Sequence, residues 1–268
     1  MLKDITLGQY FPGESYIHKL DARVKIMLAI VFMVVIFCIK SMYGYGVLVI
    51  FTLFMIAVSK IPFGYMIKAV KPVLFFVIFT AILNIMFTKN GEILWSTGFL
   101  TITKTGVENA VYMIFRITFL VMGTSLLTYT TSPIELTDGM ERLLNPFSKI
   151  GLPSHELAMM MSIALRFIPT ILEETDKITK AQTARGADFE SGNVLKRAKA
   201  LIPLLVPLFI SAFRRADELA MAMECRCYHG GVNRTKMNQP KLGKQDLVAV
   251  VVMIIFIVTI VFTNFLRW

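Results

Sequence analysis

Two arginines stand at similar points of the sequence, each near the end of a segment that we predict to be helical. The two tripeptides are Ala184-Arg185-Gly186 and Cys225-Arg226-Cys227. A guanidinium group is a planar fork of donors that can hold a carboxylate through two hydrogen bonds. From the residues alone two interpretations stay open. Each cation stabilises the C-terminal end of its own helix, or each is presented to an acidic groove of a partner protein.

The second tripeptide also belongs to a C-x-C-x-H pattern, formed by Cys225, Cys227 and His229. Thiolate and imidazole are suitable zinc ligands, but no fourth ligand is evident nearby and the spacing is not a usual one. We therefore expect no metal site and treat these side chains as small apolar packing groups. Three cysteines, Cys38 being the third, are too few for a disulfide framework and suit a reducing cytoplasm.

Methionines gather in the same part of the chain, at Met159, Met160, Met161, Met221 and Met223. One interpretation is that they fill a core. The other is an adaptable apolar surface, because unbranched thioether side chains repack easily against different partners.

The motifs of several catalytic classes are missing. The chain has no G-x-x-x-x-G-K-[ST] loop to cradle phosphates, no H-E-x-x-H and no G-x-S-x-G. We therefore predict no catalytic residues, no cofactor of its own and no ATP hydrolysis by this chain. Arg116 is the clear ionisable residue inside an apolar run. It either packs or snorkels, or it contacts a substrate.

Composition points to a membrane protein. Hydrophobic residues make up 56% of the 268 residues and charged residues 17%. A soluble fold this apolar would expose large hydrophobic patches. The net charge of +10 is typical of a basic cytoplasmic face, and binding to nucleic acid is a poor second interpretation.

The sequence predicts an all-α, polytopic fold with about five transmembrane helices. The predicted spans are Ile26–Ile39, Tyr43–Ser59, Val73–Thr88, Ala110–Tyr129 and Leu247–Leu266. The first is short for a hydrocarbon core of about 30 Å, and we expect Arg23, Lys25 and Lys40 to snorkel and make up part of the deficit. Gly44 and Gly46 favour a tight turn between the first two spans.

Charge asymmetry sets the predicted orientation. With the N-terminus in the cytoplasm, Lys and Arg concentrate in the inner segments, such as the one that holds Lys60, Lys68 and Lys71. They are sparse in the outer segments, which the positive-inside rule requires. The predicted localisation is therefore the cell membrane, multi-pass, with the N-terminus inside and the C-terminus outside.

Three parts follow from this topology: a four-span membrane part over 1–129, a cytoplasmic helical domain over 130–246 and a fifth span over 247–268. Within the middle part, a capping box at Ser132 and Glu135 starts a short helix. Two long helices follow, from about Pro153 to Gly186 and from about Leu195 to Cys227. Both are apolar enough that a seven-span topology is the alternative, but the segment between them is then basic and outside.

In this order the motifs resemble one family, the transmembrane coupling (T) component of energy-coupling factor (ECF) ABC-type transporters, CbiQ-like. The resemblance covers nearly the whole chain. It is carried by Leu20-Asp21-Ala22-Arg23-Val24-Lys25, Gly151-Leu152-Pro153, Leu165-Arg166-Phe167-Ile168-Pro169, Ala181-Gln182-x-x-Arg185-Gly186 and Glu218-Leu219-Ala220-x-Ala222-Met223-Glu224-x-Arg226. It marks Asp21, Arg23, Arg166 and Pro169 as motif residues.

The resemblance implies a role and a set of partners. Each of two coupling helices ends in an X-R-X motif that docks into one of two cytoplasmic P-loop ATPases, here Ala184–Gly186 and Cys225–Cys227. Cysteine in place of alanine and glycine puts the tight ending of the second motif in doubt. The family also implies a small membrane subunit that captures vitamins or other micronutrients, dedicated or exchangeable, with ATP bound by the partners. The competing class is a self-contained secondary transporter or channel.

Overall fold

The structure is a computed structural model, and it describes residues 10–88, 92–97, 100–151, 153–187, 189, 193, 195, 199–230 and 242–265. The chain divides into two compact units. One consists of Gly8–Gly139 with Gln239–Trp268, and the other is drawn mainly from Met140–Asn238. We call them the membrane unit and the coupling unit.

The membrane unit is helical, as its apolar runs predict. Its helices are α1 (Ala22–Cys38), α2 (Met42–Ser59), α3 (Phe63–Val70), α4 (Leu74–Phe87), α5 (Lys104–Thr130) and, after the coupling unit, α9 (Lys244–Phe265). A 3-10 turn, Lys71–Val73, joins α3 to α4. A small antiparallel hairpin, β1 (Ile93–Thr97) with β2 (Leu100–Thr103), precedes α5 and was not predicted.

The turn between α1 and α2 lies where the gap between the predicted spans places it, but the two glycines expected to favour it are not part of it. It occupies Ile39–Ser41, and Gly44 and Gly46 are inside the first turns of α2. Gly44 has a packing role there instead: a Cβ at this position would lie 2.8 Å from Cγ2 of Ile39. The glycine allows the turn and the start of α2 to approach closely, which any larger residue would prevent.

Five helical segments among the described residues are long and apolar enough to cross a membrane. They are Met42–Ser59, Phe63–Phe87, Lys104–Thr130, Ser154–Ala184 and Lys244–Phe265. The set differs from the predicted spans in two members. α1 is not among the five, because it has only 17 residues, a rise of about 26 Å. The long helix of the coupling unit is among them, because its length and composition suffice. The second half of that helix carries Glu173, Glu174 and Asp176.

Aromatic rings fill the interior of the membrane unit. Phe51 stacks on Phe256 with 4.0 Å between ring centroids, and Phe32 packs against both. A Cβ on Gly123 would lie 2.4 Å from Cε1 of Phe32, so the missing side chain makes room for that ring. These contacts hold α1, α2, α5 and α9 together.

A buried polar cluster closes one end of this bundle, and we call it the end clasp. Lys25 is 5% exposed, and its Nζ donates to the carbonyl oxygens of His18 (2.9 Å) and Thr130 (3.0 Å). Asp246, at the start of α9, accepts a hydrogen bond of 2.9 Å from the backbone N–H of Asp21. The clasp therefore joins the start of α1 to the end of α5 and the start of α9.

The end clasp corrects the expectation that Arg23 and Lys25 snorkel. Arg23 forms an ion pair with Asp21, 2.7 Å between Nη2 and Oδ2, and Lys25 is turned into the protein. Asp21 is also the N-cap of α1, because its carboxylate accepts from the backbone N–H of Arg23. The motif residues Asp21 and Arg23 thus close a helix end.

The coupling unit follows the predicted order of helices. α6 (Pro133–Leu144) leads into it from the membrane unit, and the hydroxyl of Ser132 accepts from the N–H of Glu135, as the capping box predicts. A 3-10 segment, Asn145–Ile150, precedes α7 (Ser154–Ala184). α8 (Ile202–Cys225) ends where predicted, while much of its predicted start lies outside the described residues.

Replacing Lys25 with methionine tests the end clasp. The variant leaves the carbonyls of His18 and Thr130 buried without a donor, at a cost of about 2–4 kcal/mol. We expect a clearly lower unfolding temperature of the purified chain in detergent. Lys71→Met is the control, because Lys71 is exposed, and it should unfold close to the wild type. Equal stability of Lys25→Met and the wild type would contradict the role given to Lys25.

Candidate functional site

The candidate site consists of the two arginine-tipped ends of α7 and α8, and the contact between these helices positions it. Arg215 Nη2 on α8 donates to Glu174 Oε2 on α7 at 2.9 Å. Gln182 Nε2 donates to the carbonyl of Pro203 at 3.3 Å. Later residues of α7 therefore meet earlier residues of α8, which means that the two helices are antiparallel.

Electrostatics favours this contact near neutral pH. The hydroxyl of Ser211, and after it the guanidinium of Arg215, hold the pKa of Glu174 below its usual range, although partial desolvation acts in the opposite direction. Glu174 lies beyond the apolar stretch of α7, on its charged half. A lowered pKa stabilises the packed helices above the ordinary pKa of a glutamate, and this stabilisation is lost as the pH falls through the lowered value.

Apolar side chains line the rest of the α7–α8 contact. Ile163, Phe167 and Ile171 of α7 face Ala216, Leu219 and Met223 of α8 across a narrow groove. The pairing of early α7 residues with late α8 residues repeats the antiparallel sense given by the polar contacts. Small alanines on α8 let the helices approach closely.

The two helices end in the same way. At α7, the N–H of Gly186 donates to Thr183 O (2.9 Å) and the N–H of Ala187 donates to Gln182 O (3.0 Å). At α8, the N–H of Cys227 donates to Glu224 O (2.9 Å) and that of Tyr228 to Met223 O (3.1 Å). This pair of bonds is the Schellman motif. Arg185 and Arg226 occupy its C-cap position in both helices.

The doubt about the second ending is resolved by its backbone. The residue after each arginine has a left-handed conformation, with φ of 89° at Gly186 and 55° at Cys227. Glycine adopts this region freely, whereas a side chain costs about 1 kcal/mol. The ending is therefore equally tight in both helices, and the second is held under backbone strain.

The ion pair between Glu174 and Arg215 lies midway between the tips. Arg185 follows Glu174 by the same number of residues as Arg226 follows Arg215, about 16 Å of helix in each case. Because the helices are antiparallel, the two arginines lie at opposite ends of the pair. Their separation is on the order of 30 Å.

Both arginine side chains are exposed, and no hydrogen bond or ion pair of either guanidinium is found among the described residues. Two open cations at opposite ends of a helix pair suit two separate acidic surfaces. Neither of the two interpretations of these arginines is excluded, since the C-cap position also places each cation near the negative end of its helix.

The methionines do not form one uniform surface. Met160, Met161 and Met221 are exposed, with 55%, 48% and 63% of their surface accessible. Met159 is half-buried and Met223 lines the α7–α8 groove. The structure thus offers three open methionines for contact with a partner and uses Met223 within the helix pair.

The remaining motif residues lie along α7. Arg166 is exposed, and Pro169 lies inside the helix, where it has no N–H to donate to the preceding turn. Neither lies at a tip. Asp21 and Arg23 belong to the end clasp of the membrane unit.

The cysteine cluster gives no sign of a metal site. Cys225, Cys227 and His229 are exposed, and no group of three or more His, Cys, Asp or Glu among the described residues is arranged to hold a metal ion.

Sequence reasoning missed the residues that position the site. Glu174, Ser211 and Arg215 were not singled out, although an opposite-charge pair on two long neighbouring helices is a usable indication of contact. Asp246 was missed as well, because a carboxylate just before an apolar span is usually exposed to water at the end of the helix.

Taken together, these features define a class: a multi-pass helical membrane protein with a separate pair of long antiparallel helices that end in exposed arginines. The chain belongs to the CbiQ family, described as "Cobalt transport protein", whose family model matches residues 13–237. The match covers both units, including the two tips.

Several curated relatives match this chain over nearly their whole length, and they share one name. Proteins named "Energy-coupling factor transporter transmembrane protein EcfT" match from Clostridium kluyveri (59% identity, 93% of both chains) and Acidaminococcus fermentans (52% identity, 100% of this chain and 98% of the relative). The Bacillus subtilis protein of that name is 46% identical over 95% of this chain and 96% of its own. The chain is accordingly a transmembrane component of an ECF transporter.

Exchanging the charges of the central ion pair tests the α7–α8 contact. Glu174→Arg places two guanidinium groups together, and we expect backbone amides around 174 and 215 to exchange hydrogen several-fold faster. The double variant Glu174→Arg with Arg215→Glu should recover most of the protection, because it restores opposite charges. Hydrogen exchange of the full chain measures this, and a double variant no better than the single one would contradict the pairing.

Glycine at the two cysteines flanking Arg226 tests the strained ending. Cys227→Gly relieves a left-handed conformation and should slow amide exchange at the end of α8 about fivefold, the equivalent of about 1 kcal/mol. Cys225→Gly is the matched control, because residue 225 is helical and glycine weakens a helix by about 0.5–1 kcal/mol. Exchange is compared with the intrinsic rate of each sequence. The same effect from both substitutions would refute the strain.

Proposed function

We propose that this chain couples ATP-driven movement of two cytoplasmic ATPase subunits to a separate membrane subunit that captures the substrate. The observation that carries the proposal is the pair of identical Schellman endings, which present Arg185 and Arg226 at opposite ends of α7 and α8. Each ending offers one guanidinium to an acidic groove of one ATPase. The printed name of the relatives, a transmembrane protein of an energy-coupling factor transporter, supports this role.

The coupling works mechanically. When ATP draws the two ATPases together, the two tips are drawn with them, and α7 and α8 rotate about their contact. Because Arg185 and Arg226 are equally far from the Glu174–Arg215 pair, equal displacements of the ATPases turn the helices by equal angles. Packed helices slide and rotate in small steps of this kind in many conformational changes.

The chain itself makes no bonds in this scheme. ATP is bound and hydrolysed by P-loop ATPases, and the substrate, a vitamin or another micronutrient, is held by the capture subunit. The exposed methionines Met160, Met161 and Met221 are the proposed contact with that subunit, since thioether side chains adapt to different apolar partners. One dedicated or several exchangeable capture subunits fit such a surface.

The proposed orientation places the N-terminus and the coupling unit in the cytoplasm. The basic residues Lys60 and Lys71 then lie on the inner side, in keeping with the positive-inside rule. The competing class, a self-contained secondary transporter or channel, is disfavoured by the family match and by the names of the relatives.

Alanine at the tips tests the docking. We expect Arg185→Ala and Arg226→Ala each to weaken association with the ATPases at least tenfold, and the double variant to abolish coupled uptake, because a charged bidentate contact is lost at each end. Arg214→Ala is the control, since Arg214 is exposed on α8 away from the tip. Co-purification and uptake by reconstituted vesicles give the two readouts.

A fully active double variant, with an unfolding temperature like that of the wild type, would refute the roles of the two arginines. Uptake by vesicles that contain this chain alone would favour the secondary transporter. Loss of association in the Arg214 variant as well would indicate a general defect of the helix pair.

A further inference from the structure

Arg116 lies in the middle of α5, and no ion pair neutralises it among the described residues. Its Cζ lies 5.4 Å from the centroid of the Phe37 ring, and its Nε is buried without a hydrogen-bond partner among the described residues. The nearest acidic residue on the same helix, Glu108, is two turns away, about 12 Å along the axis. A guanidinium inside the hydrocarbon without a counter-charge is energetically costly.

A second polar group without a partner lies beside the same stretch of α5. Tyr45 is 1% exposed, and its ring stacks on Tyr112 (5.1 Å) and packs against Phe115 (5.7 Å), the residue before Arg116. Its hydroxyl is buried and has no partner in the described part of the chain. The Tyr45 hydroxyl, which belongs to a ring packed on this stretch of α5, and the Arg116 Nε are thus both buried without a partner among the described residues. They indicate that a polar group from outside the chain belongs at this part of α5.

The depth of Arg116 follows from the end clasp. Lys25 of α1 donates to Thr130 O of α5, so the start of α1 lies beside the end of α5. The other end of α1, with Phe37, therefore lies beside the middle of the longer α5, where Arg116 is. A helical side chain tilts toward the N-terminus of its helix, which directs Arg116 toward the membrane surface at the far end of α1.

That surface is marked by its own residues. Lys40 and Tyr43, both exposed, the tyrosine by 79%, follow directly after α1. Lysine and tyrosine at a helix end are typical of the headgroup level of a bilayer. Phe37 precedes Lys40 by one helical turn, about 5 Å, and an arginine side chain is long enough to bridge such a distance.

The end of α1 is also fixed in place. Asn264 of α9 donates from Nδ2 to Cys38 O (2.9 Å) and accepts at Oδ1 from the N–H of Lys40 (3.1 Å). The last carbonyl of α1 is thus satisfied by the protein, and the backbone at Lys40 is held. Lys40 is thus held three residues beyond Phe37, the ring that the Arg116 guanidinium lies over, and the two cations can together form a site for an anion.

We infer that Arg116 and Lys40 bind the phosphate group of a membrane phospholipid in the leaflet at this end of α1. Arg116 holds the phosphodiester with its planar fork, Lys40 adds the second positive charge, and an acyl chain lies along the exposed face of Phe37. The depth of the site favours a lipid, because the headgroup level coincides with Lys40 and Tyr43. The inference needs only the membrane unit and is independent of the proposed coupling function.

Native mass spectrometry of the full chain tests the inference. The purified chain in maltoside detergent is freed of lipid and titrated with dioctanoyl-phosphatidylglycerol. We expect Arg116→Gln to weaken binding at least tenfold and Arg116→Lys about threefold, because lysine keeps the charge but not the fork. Lys40→Gln should also weaken binding, and Lys71→Gln, exposed in the 3-10 turn between α3 and α4, should leave it unchanged.

Two further probes separate the outcomes. Dioctanoylglycerol, which has no phosphate, should bind no better to the wild type than to Arg116→Gln. Equal lipid binding by the wild type and Arg116→Gln would overturn the inference. So would a loss of the co-purifying capture subunit in Arg116→Gln with lipid binding retained, because the guanidinium would then pair with a carboxylate of that subunit. Arg116→Lys keeps the test valid if the glutamine variant does not fold.

Discussion

The ends of the helices determine the rest of this structure, because a helix end in or beside a bilayer cannot rely on water to satisfy its free amides and carbonyls. Three helix ends of the membrane unit are closed by groups of the protein. Lys25 satisfies the carbonyl of Thr130, Asp246 accepts from the N–H of Asp21, and Asn264 bonds the end of α1. These same bonds tie α1, α5 and α9 into one bundle, so that closing the ends and assembling the unit are one process.

The charges fall into two groups with different uses. Lys25 and Arg215 are paired within the chain and hold its helices together. Arg116, Arg185 and Arg226 have no hydrogen-bonded partner among the described residues, and each lies where something else in the assembly can supply an anion. An unpaired cation is costly inside lipid but carries no such cost in water. Arg116, which lies within the membrane unit, therefore needs a ligand at all times. The two tip arginines can exchange partners with water whenever a complex dissociates.

Much of the fold was predictable because it depends on local patterns. The apolar runs, the capping box at Ser132 and the ends of α7 and α8 follow from residues close together in sequence. The hairpin before α5 was missed, since strands of four or five residues give little periodicity. The turn before α2 was predicted, but the use of Gly44 was not, because Gly44 is needed for its small size against Ile39 and not for its backbone freedom. Lys25 was expected to snorkel because composition cannot tell a snorkelling lysine from a buried one.

The sequence by itself determined the class of protein, the helices and the two X-R-X tripeptides, because hydrophobicity and helix-ending residues act over a few turns. Only the tertiary structure decided how those parts are used. It made α7 and α8 antiparallel through Glu174 and Arg215, which places the two arginines at opposite ends. It also gave Cys227 the left-handed backbone that glycine has in the other tip. Both the antiparallel arrangement and the Cys227 backbone depend on how the helices pack. Such packing involves residues far apart in sequence, and no single segment specifies it.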